Sequence, residues 1–281
     1  MLKRTALLAA VVAVCGVAVL PRARGGAAAY SQRPAPPPLP GMESVPADFK
    51  LPDAMKVLYG NYDPLAHTST FRLTKTFPHT FFDKPGKVDA RAFLTTGAMD
   101  SGAMKVFVLT YGVPHGSPEF DCHACAPVIG AAVFAKKDGG AWAVESANKE
   151  FDVLGNWGGP PGAEVIRVGP DRAAFELKPG NTNQGETVGS VMILLPWKGA
   201  VREVFDAETI STETSDCGDG MGDCRDKTGE ISFVRGADPD YDEIVLTISG
   251  TETSAKTGKD EKVRRVQNWK FVDGKYVRVG G

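Results

Sequence analysis

The chain lacks the motifs by which several large enzyme classes are recognised. It contains no G-x-S-x-G of serine hydrolases, no H-E-x-x-H of zinc proteases and no glycine spacing of a phosphate-binding P-loop. The C-x-x-C-H motif of c-type haem attachment is also missing. These absences remove the common catalytic motifs, and we therefore expect a binding protein rather than an enzyme.

Long apolar runs are also scarce, because only one is present and it lies at the start of the chain. Basic residues precede the run Ala6–Leu20, and the small residues at 27–29 suit cleavage, as in a secretory signal peptide. Pro21 ends the run short of the roughly 20 residues that a membrane helix needs. We predict a signal peptide over residues 1–29, no transmembrane segment after its cleavage, and export to the periplasm or out of the cell.

Positive charge is in deficit once the predicted signal is removed. The signal carries four basic residues and no acidic one, so 28 basic residues face 34 acidic ones and the net charge becomes −6. Such a surplus of negative charge disfavours binding to nucleic acid or to an anionic membrane. We therefore expect no nucleic acid partner, and a protein or a glycan of the cell envelope instead.

The mature chain opens on a proline-rich stretch. Six prolines fall within residues 30–46, and few side chains there are able to pack. Such segments are extended and semi-rigid. We predict a spacer over residues 30–47, followed by a globular domain over residues 48–281.

Helical periodicity is missing after residue 60. One short helix is predicted to begin at Leu51 and to run through Leu58, with Gly60 ending it. Beyond it, β-prone segments alternate with turn residues, which predicts a series of hairpins. The turns are Lys137–Gly140, Gly169–Asp171, Pro196–Gly199 and Asp273-Gly274. We predict a single, largely antiparallel all-β domain, built as a barrel, a sandwich or a propeller-like array.

Four cysteines remain after signal removal, an even number that is typical of disulfides in an oxidising compartment. Cys122 and Cys125 lie in the sequence D-C-H-A-C-A-P, between two strand patterns. An extended strand would hold them about 10 Å apart, so a disulfide between them requires a turn. Cys217 and Cys224 lie in a loop of glycines and aspartates, which a second disulfide would close.

The Cys122–Cys125 segment also supports two alternatives to a structural disulfide. With His123 between the cysteines, it superficially resembles the active-site dithiol of thioredoxin-like oxidoreductases, which implies thiol–disulfide exchange. That family opens a helix at the first cysteine, whereas Pro127–Gly130 leads into a strand here. His115, Cys122, His123 and Cys125 also offer soft ligands for zinc or copper. An envelope redox or metal-binding protein is therefore the alternative function.

An aspartate-rich turn precedes a strand pattern in the last third of the chain. The sequence Y-D-E-I-V at 241–245 resembles the strand entry of an FG-GAP repeat of β-propellers, and the similarity spans residues 236–250. That resemblance implies a calcium ion at Asp238, Asp240 and Asp242. An acidic turn before an edge strand is the alternative, and no other cofactor is predicted.

Trp157 stands on a loop of glycines and prolines at residues 155–162. A tryptophan on such a loop can stack on a sugar or anchor a protein partner, although more often it folds onto the edge of the core. We predict that partner contacts involve His115, His123 and Trp157. The loops predicted to form the binding surface span residues 115–127, 155–162 and 212–226.

Overall fold

A computed structural model describes residues 42–117, 120–183, 185–213, 225–254 and 256–280. The predicted signal peptide (1–29), most of the predicted spacer, and Cys217 with Cys224 lie outside these residues. Within the described part of the chain, one helix and two antiparallel sheets form one compact unit. The prediction of a single, largely antiparallel all-β domain with one short N-terminal helix is confirmed.

The helix α1 spans Leu51–Tyr59. Pro52 lies in its first turn, where the missing N–H costs nothing. Gly60 ends it in the left-handed conformation (φ +86°), and its N–H donates to the Lys56 carbonyl oxygen at 2.8 Å. The predicted helix bounds are therefore confirmed. Among the described residues, no helix has the length and apolar character to cross a membrane.

The first sheet has six strands and curls into a half-barrel. Its strands are β1 (Met42–Glu43), β2 (Ser69–Arg72), β3 (Lys87–Asp100), β4 (Ala103–Pro114), β5 (Val128–Lys136) and β6 (Trp142–Val153). The order is β1-β3-β4-β5-β6, and β2 pairs with the other end of the same edge of β3. The strand β1 lies in the predicted spacer, so the last residues of that segment join the sheet.

The second sheet has nine strands in the order β15-β14-β13-β12-β11-β10-β8-β7, and β9 pairs with β10 alongside β8. Its strands are β7 (Gly162–Gly169), β8 (Arg172–Lys178), β9 (Gly180–Asn183), β10 (Glu186–Trp197), β11 (Ala200–Glu213), β12 (Arg225–Val234), β13 (Glu243–Thr253), β14 (Asp260–Val272) and β15 (Lys275–Val279). Each of the four predicted hairpin turns joins two of these consecutive strands or joins β5 to β6.

Side-chain alternation builds a core on each face of both sheets. On β4, Phe107 points to the second sheet, where its ring meets Phe175 at 5.2 Å, and Val108 points to α1. On β10, Leu194 joins the core between the sheets, and Ile193 faces the opposite side. That opposite side is covered because the second sheet folds back on itself and brings Tyr276 of β15 into the same core.

The tips of two hairpins, one from each sheet, meet beside a buried ion pair. The Lys105 ammonium lies 2.7 Å from the Asp100 carboxylate, and the two side chains are only 8% and 4% exposed. Asp100 also accepts the Ala173 N–H at 3.0 Å, and the Ser101 N–H donates to the Asp171 carbonyl oxygen at 2.9 Å. Both last contacts reach the β7–β8 hairpin, so this network fixes one sheet against the other.

The charge on Lys105 is stabilised by its surroundings. Burial alone would lower its pKa, but hydrogen bonds to Asp100 and Glu145 outweigh burial and raise the pKa above the usual value for lysine. The ammonium is therefore charged throughout the physiological range. A buried charge of this kind depends on its partners, because removal of one leaves the other uncompensated.

We expect Asp100→Ala to lower the free energy of unfolding by about 3 kcal/mol or more, because it removes the buried partner of the Lys105 ammonium and leaves the Ala173 N–H unsatisfied. Glu145→Gln is the matched control, since Glu145 bonds the same ammonium from a side chain that is 36% exposed. The control is expected to cost less than about 1 kcal/mol. Urea unfolding monitored by circular dichroism measures the free energy of unfolding of both variants. Equal losses would show that the buried contact stabilises the protein no more than the exposed one.

Candidate functional site

The first part of the site is a turn closed by a disulfide between Cys122 and Cys125. Their Cα atoms lie 4.9 Å apart, and the Cys125 N–H donates to the Cys122 carbonyl oxygen at 2.9 Å. The structure thus supplies the turn that the spacing requires. Cys125 is only 3% exposed and Cys122 is exposed. The chain then enters β5 at Val128, and no helix begins at the first cysteine.

The second part is a tight turn that carries Trp157. Asn156 and Gly159 exchange backbone hydrogen bonds of 2.8 and 3.2 Å across it. Trp157 (φ +50°) and Gly158 (φ +69°) both adopt the left-handed conformation, as in the type I′ turns of hairpins. That conformation costs an L-residue roughly 1–2 kcal/mol. Trp157 is nevertheless 61% exposed, so the turn holds a large aromatic ring in water at a cost in backbone energy.

The two turns are locked together. The Gly158 N–H donates to the Cys125 carbonyl oxygen at 2.7 Å. A Cβ atom at Gly158 would lie 1.8 Å from the Phe120 carbonyl oxygen, so only glycine fits there. The rings of His123 and Trp157 meet edge to face, with centroids 5.3 Å apart. The disulfide turn therefore positions both His123 and Trp157.

Two phenylalanines extend this surface, and sequence analysis missed both. Phe81 is 58% exposed and packs edge to face on Phe120, with ring centroids 5.4 Å apart. Phe120 in turn contacts Phe82, which is buried. We call Phe81, Phe120, His123 and Trp157 the aromatic patch. The available signal was the F-F pair in the turn-rich sequence P-H-T-F-F-D, which has no strand alternation to bury both rings.

A buried carboxylate anchors the segment that leads to Phe81. Glu150 on β6 is only 5% exposed and accepts the backbone N–H groups of Thr74 at 2.9 Å and Lys75 at 2.7 Å. The Lys75 ammonium donates to the Glu150 carbonyl oxygen at 2.9 Å. Further along the segment, the Phe77 N–H donates to the Phe82 carbonyl oxygen at 2.8 Å. Backbone bonds of this kind fix the loop without a regular strand.

His115 lies apart from these contacts. Its Nδ1 atom is 2.9 Å from the Asp89 carboxylate, which also accepts the Thr70 hydroxyl at 2.6 Å. Partial burial acts to raise the pKa of Asp89, but the hydrogen bonds from Thr70 and His115 outweigh burial and lower it. His115 therefore takes part in a hydrogen bond at the ends of β3 and β4 in this structure.

The structure gives no metal site among the residues it describes, where no group of three or more His, Cys, Asp or Glu side chains is placed to hold an ion. In the disulfide form, Cys122 and Cys125 are not thiolate ligands. The zinc or copper site at His115, Cys122, His123 and Cys125 thus stays a prediction.

The three aspartates of the proposed calcium loop each have other partners. Asp238 accepts the N–H groups of Asp240 and Tyr241 at 2.8 and 2.9 Å. The carboxylate of Asp240 pairs with Arg172 at 3.3 Å, and that of Asp242 pairs with Arg235 at 3.2 Å. These contacts describe a turn closed by its own aspartate. The calcium site stays a prediction.

No protein-family model, no curated protein and no solved structure matches this chain. The FG-GAP-like resemblance of residues 236–250 therefore stays a prediction as well. Function has to be inferred from the geometry of the site itself.

We expect Trp157→Gly to be more stable than Trp157→Ala by about 1 kcal/mol, because glycine adopts the left-handed backbone without a Cβ penalty. Both variants lose the same ring contact with His123, so the difference in stability between them measures the backbone strain alone. Thermal and urea unfolding of the two variants measure it. An alanine variant as stable as the glycine one would mean that the turn is not left-handed in solution.

We expect the double variant Cys122→Ser/Cys125→Ser to lose about 2 kcal/mol of unfolding free energy, the chain-entropy value for so short a loop. Urea unfolding without reductant compares it with the wild-type protein. An unchanged midpoint would show that the Gly158–Cys125 bond and the ring contact hold the turn without the disulfide.

Proposed function

We propose that the protein is an exported binding protein that presents the aromatic patch to a protein or glycan partner, in the cell envelope or outside the cell. The observation that carries this proposal is Trp157, a large ring held in water on a left-handed backbone. Strained backbone of this kind clusters at functional sites, where the rest of the structure maintains it. Exposed aromatic groups are also the side chains that most often dominate binding energy.

The contacts that hold the aromatic patch in place support the same function. Trp157 is fixed through Gly158 to the disulfide turn, and the segment before Phe81 is fixed through Glu150 to β6. A surface that is already ordered loses little conformational entropy when a partner binds. Such pre-organisation favours recognition by a rigid aromatic surface.

Export is supported by two features of the chain. Residues 1–29 have the charge, apolar run and small residues of a secretory signal. The exposed Cys122 in a disulfide suits an oxidising compartment.

The function is tested with tagged mature protein on glycan arrays and on envelope fractions of the source cells. We expect Trp157→Ala and Phe81→Ala each to weaken partner binding at least tenfold, which corresponds to about 1.4 kcal/mol. Val266→Ala is the matched control, since Val266 is 55% exposed on β14 and lies outside the patch. Equal binding by all three variants would place the partner elsewhere.

Thiol–disulfide exchange is the second candidate, and the exposed Cys122 beside the buried Cys125 favours it. In such dithiols the exposed cysteine is the attacking group. The reduced protein would then reduce insulin, Cys122→Ser would abolish the activity, and the Cys122 thiol would titrate below the usual value of about 8.5. Insulin reduction at the background rate would dispose of this candidate.

A further inference from the structure

A groove opens directly beside the Trp157 turn, between the end of β6 and the strands β9–β11. Its volume is about 530 Å³, within the usual range for ligand sites. Gly155, at the start of the turn, lines the groove, and the Asn156 amide donates a long hydrogen bond (3.4 Å) to the Gly180 carbonyl oxygen on its far wall. Gly155 therefore connects the groove to the turn that carries Trp157.

The groove combines an apolar floor with an acidic rim. The floor is formed largely by apolar side chains, namely Val153, Leu154, Pro179, Val188 and Met192. The rim carries Asp152, Asp206 and Glu208. Glu208 pairs with Lys227 at 3.0 Å, whereas Asp152 and Asp206 form no ion pair within the described part of the chain. The groove thus presents uncompensated negative charge above an apolar surface.

The pKa of a neighbouring carboxyl, that of Glu203, reflects the same negative potential. Partial burial, followed by the charges of Asp206 and Asp152, raises the pKa of Glu203, against the opposing effect of Lys275. Asp206 and Asp152 come from different sheets, so the tertiary fold brings these charges together. A cation placed in the groove would relieve this repulsion.

The chemistry of the groove selects an organic cation. Among the described residues, no three carboxylates or imidazoles are placed to hold a metal ion. The apolar floor favours a charge carried on an aliphatic stem, as in lysine and arginine side chains. Trp157 follows Gly155 by two residues, and its exposed ring is the type of side chain best suited to a cation–π contact.

The neighbouring strand favours a peptide as the carrier of that charge. The strand β9 is exposed along all four residues, and within the described chain it pairs only with β10. An open strand edge can pair with the backbone of an extended peptide, whose alternate side chains then enter adjacent pockets. Gly180 and Asn181 of β9 line the groove, so a peptide on this edge would place side chains in it.

We propose that the partner is an extended peptide segment bearing lysine or arginine, whose basic side chain occupies the groove while its neighbours contact the aromatic patch. This inference rests on the proposed function, because it names the class of partner for the same surface. The net charge of −6 in the mature chain adds long-range attraction for such a segment.

The test uses a fluorescent acetyl-KVKVK-amide peptide and the mature protein, with anisotropy measured at about 150 mM salt to screen non-specific attraction. We expect the double variant Asp152→Asn/Asp206→Asn to bind at least tenfold more weakly than wild type. Asp138→Asn is the matched control, since Asp138 is exposed in the β5–β6 turn, and it is expected to change binding less than twofold. An acetyl-EVEVE-amide peptide should not bind.

Three outcomes would overturn the inference. They are a KVKVK dissociation constant above about 1 mM, an equal loss in Asp138→Asn, and spermidine competing as strongly as the peptide, which would make the ligand a free polyamine.

Failure of the proposed function is distinguishable from these. Peptide binding that survives Trp157→Ala but not the groove variant would retain the groove and remove the aromatic patch. Conversely, array or envelope binding that is lost in Trp157→Ala, without any binding of the peptide, would retain the aromatic patch and remove the groove.

Discussion

The network around the buried pair of Asp100 and Lys105 fixes the first sheet against the second. Each charge is costly to bury, and the cost is offset only because the pair bonds Glu145 and the backbone of Ala173 as well. Since Ala173 belongs to the second sheet, the ion pair has its full set of partners only when the sheets meet at one register. Hydrophobic contacts such as Phe107 on Phe175 then fill the space that this register defines.

The ion pair and the candidate site lie at opposite ends of the first sheet. The register that begins with Asp100 opposite Ala103 runs to Val128 opposite Val153, beside the disulfide turn. The Asp100 network thus lies at one end of the first sheet, and the disulfide turn lies at the other. The exposed side chains of the disulfide turn and the Trp157 turn are therefore remote from this buried network.

Local sequence signals predicted local structure well and tertiary proximity poorly. Gly60 and the Asp273-Gly274 turn were predictable because a left-handed backbone favours glycine, asparagine and aspartate, which are recognisable in the sequence. The strand β12 was missed as an element because serine, threonine and charged residues on its exposed face hide its alternation. In the site, His123 and Trp157 were identified singly, but the ring contact between them and the addition of Phe81 follow from the packing of segments that are distant in sequence.

The folding back of the second sheet has a consequence for the order in which the domain can form. Tyr276, near the end of the chain, fills the core beside Phe205 and donates its hydroxyl to the Asp242 carbonyl oxygen at 3.0 Å. Until that residue is available, the core that contains Ile193 and Phe205 is incomplete. The second sheet is therefore completed late and through contacts of long sequence separation, which slows folding and prolongs the exposure of unpaired strands. A chain that has not yet acquired its last strands is most exposed to aggregation in that interval.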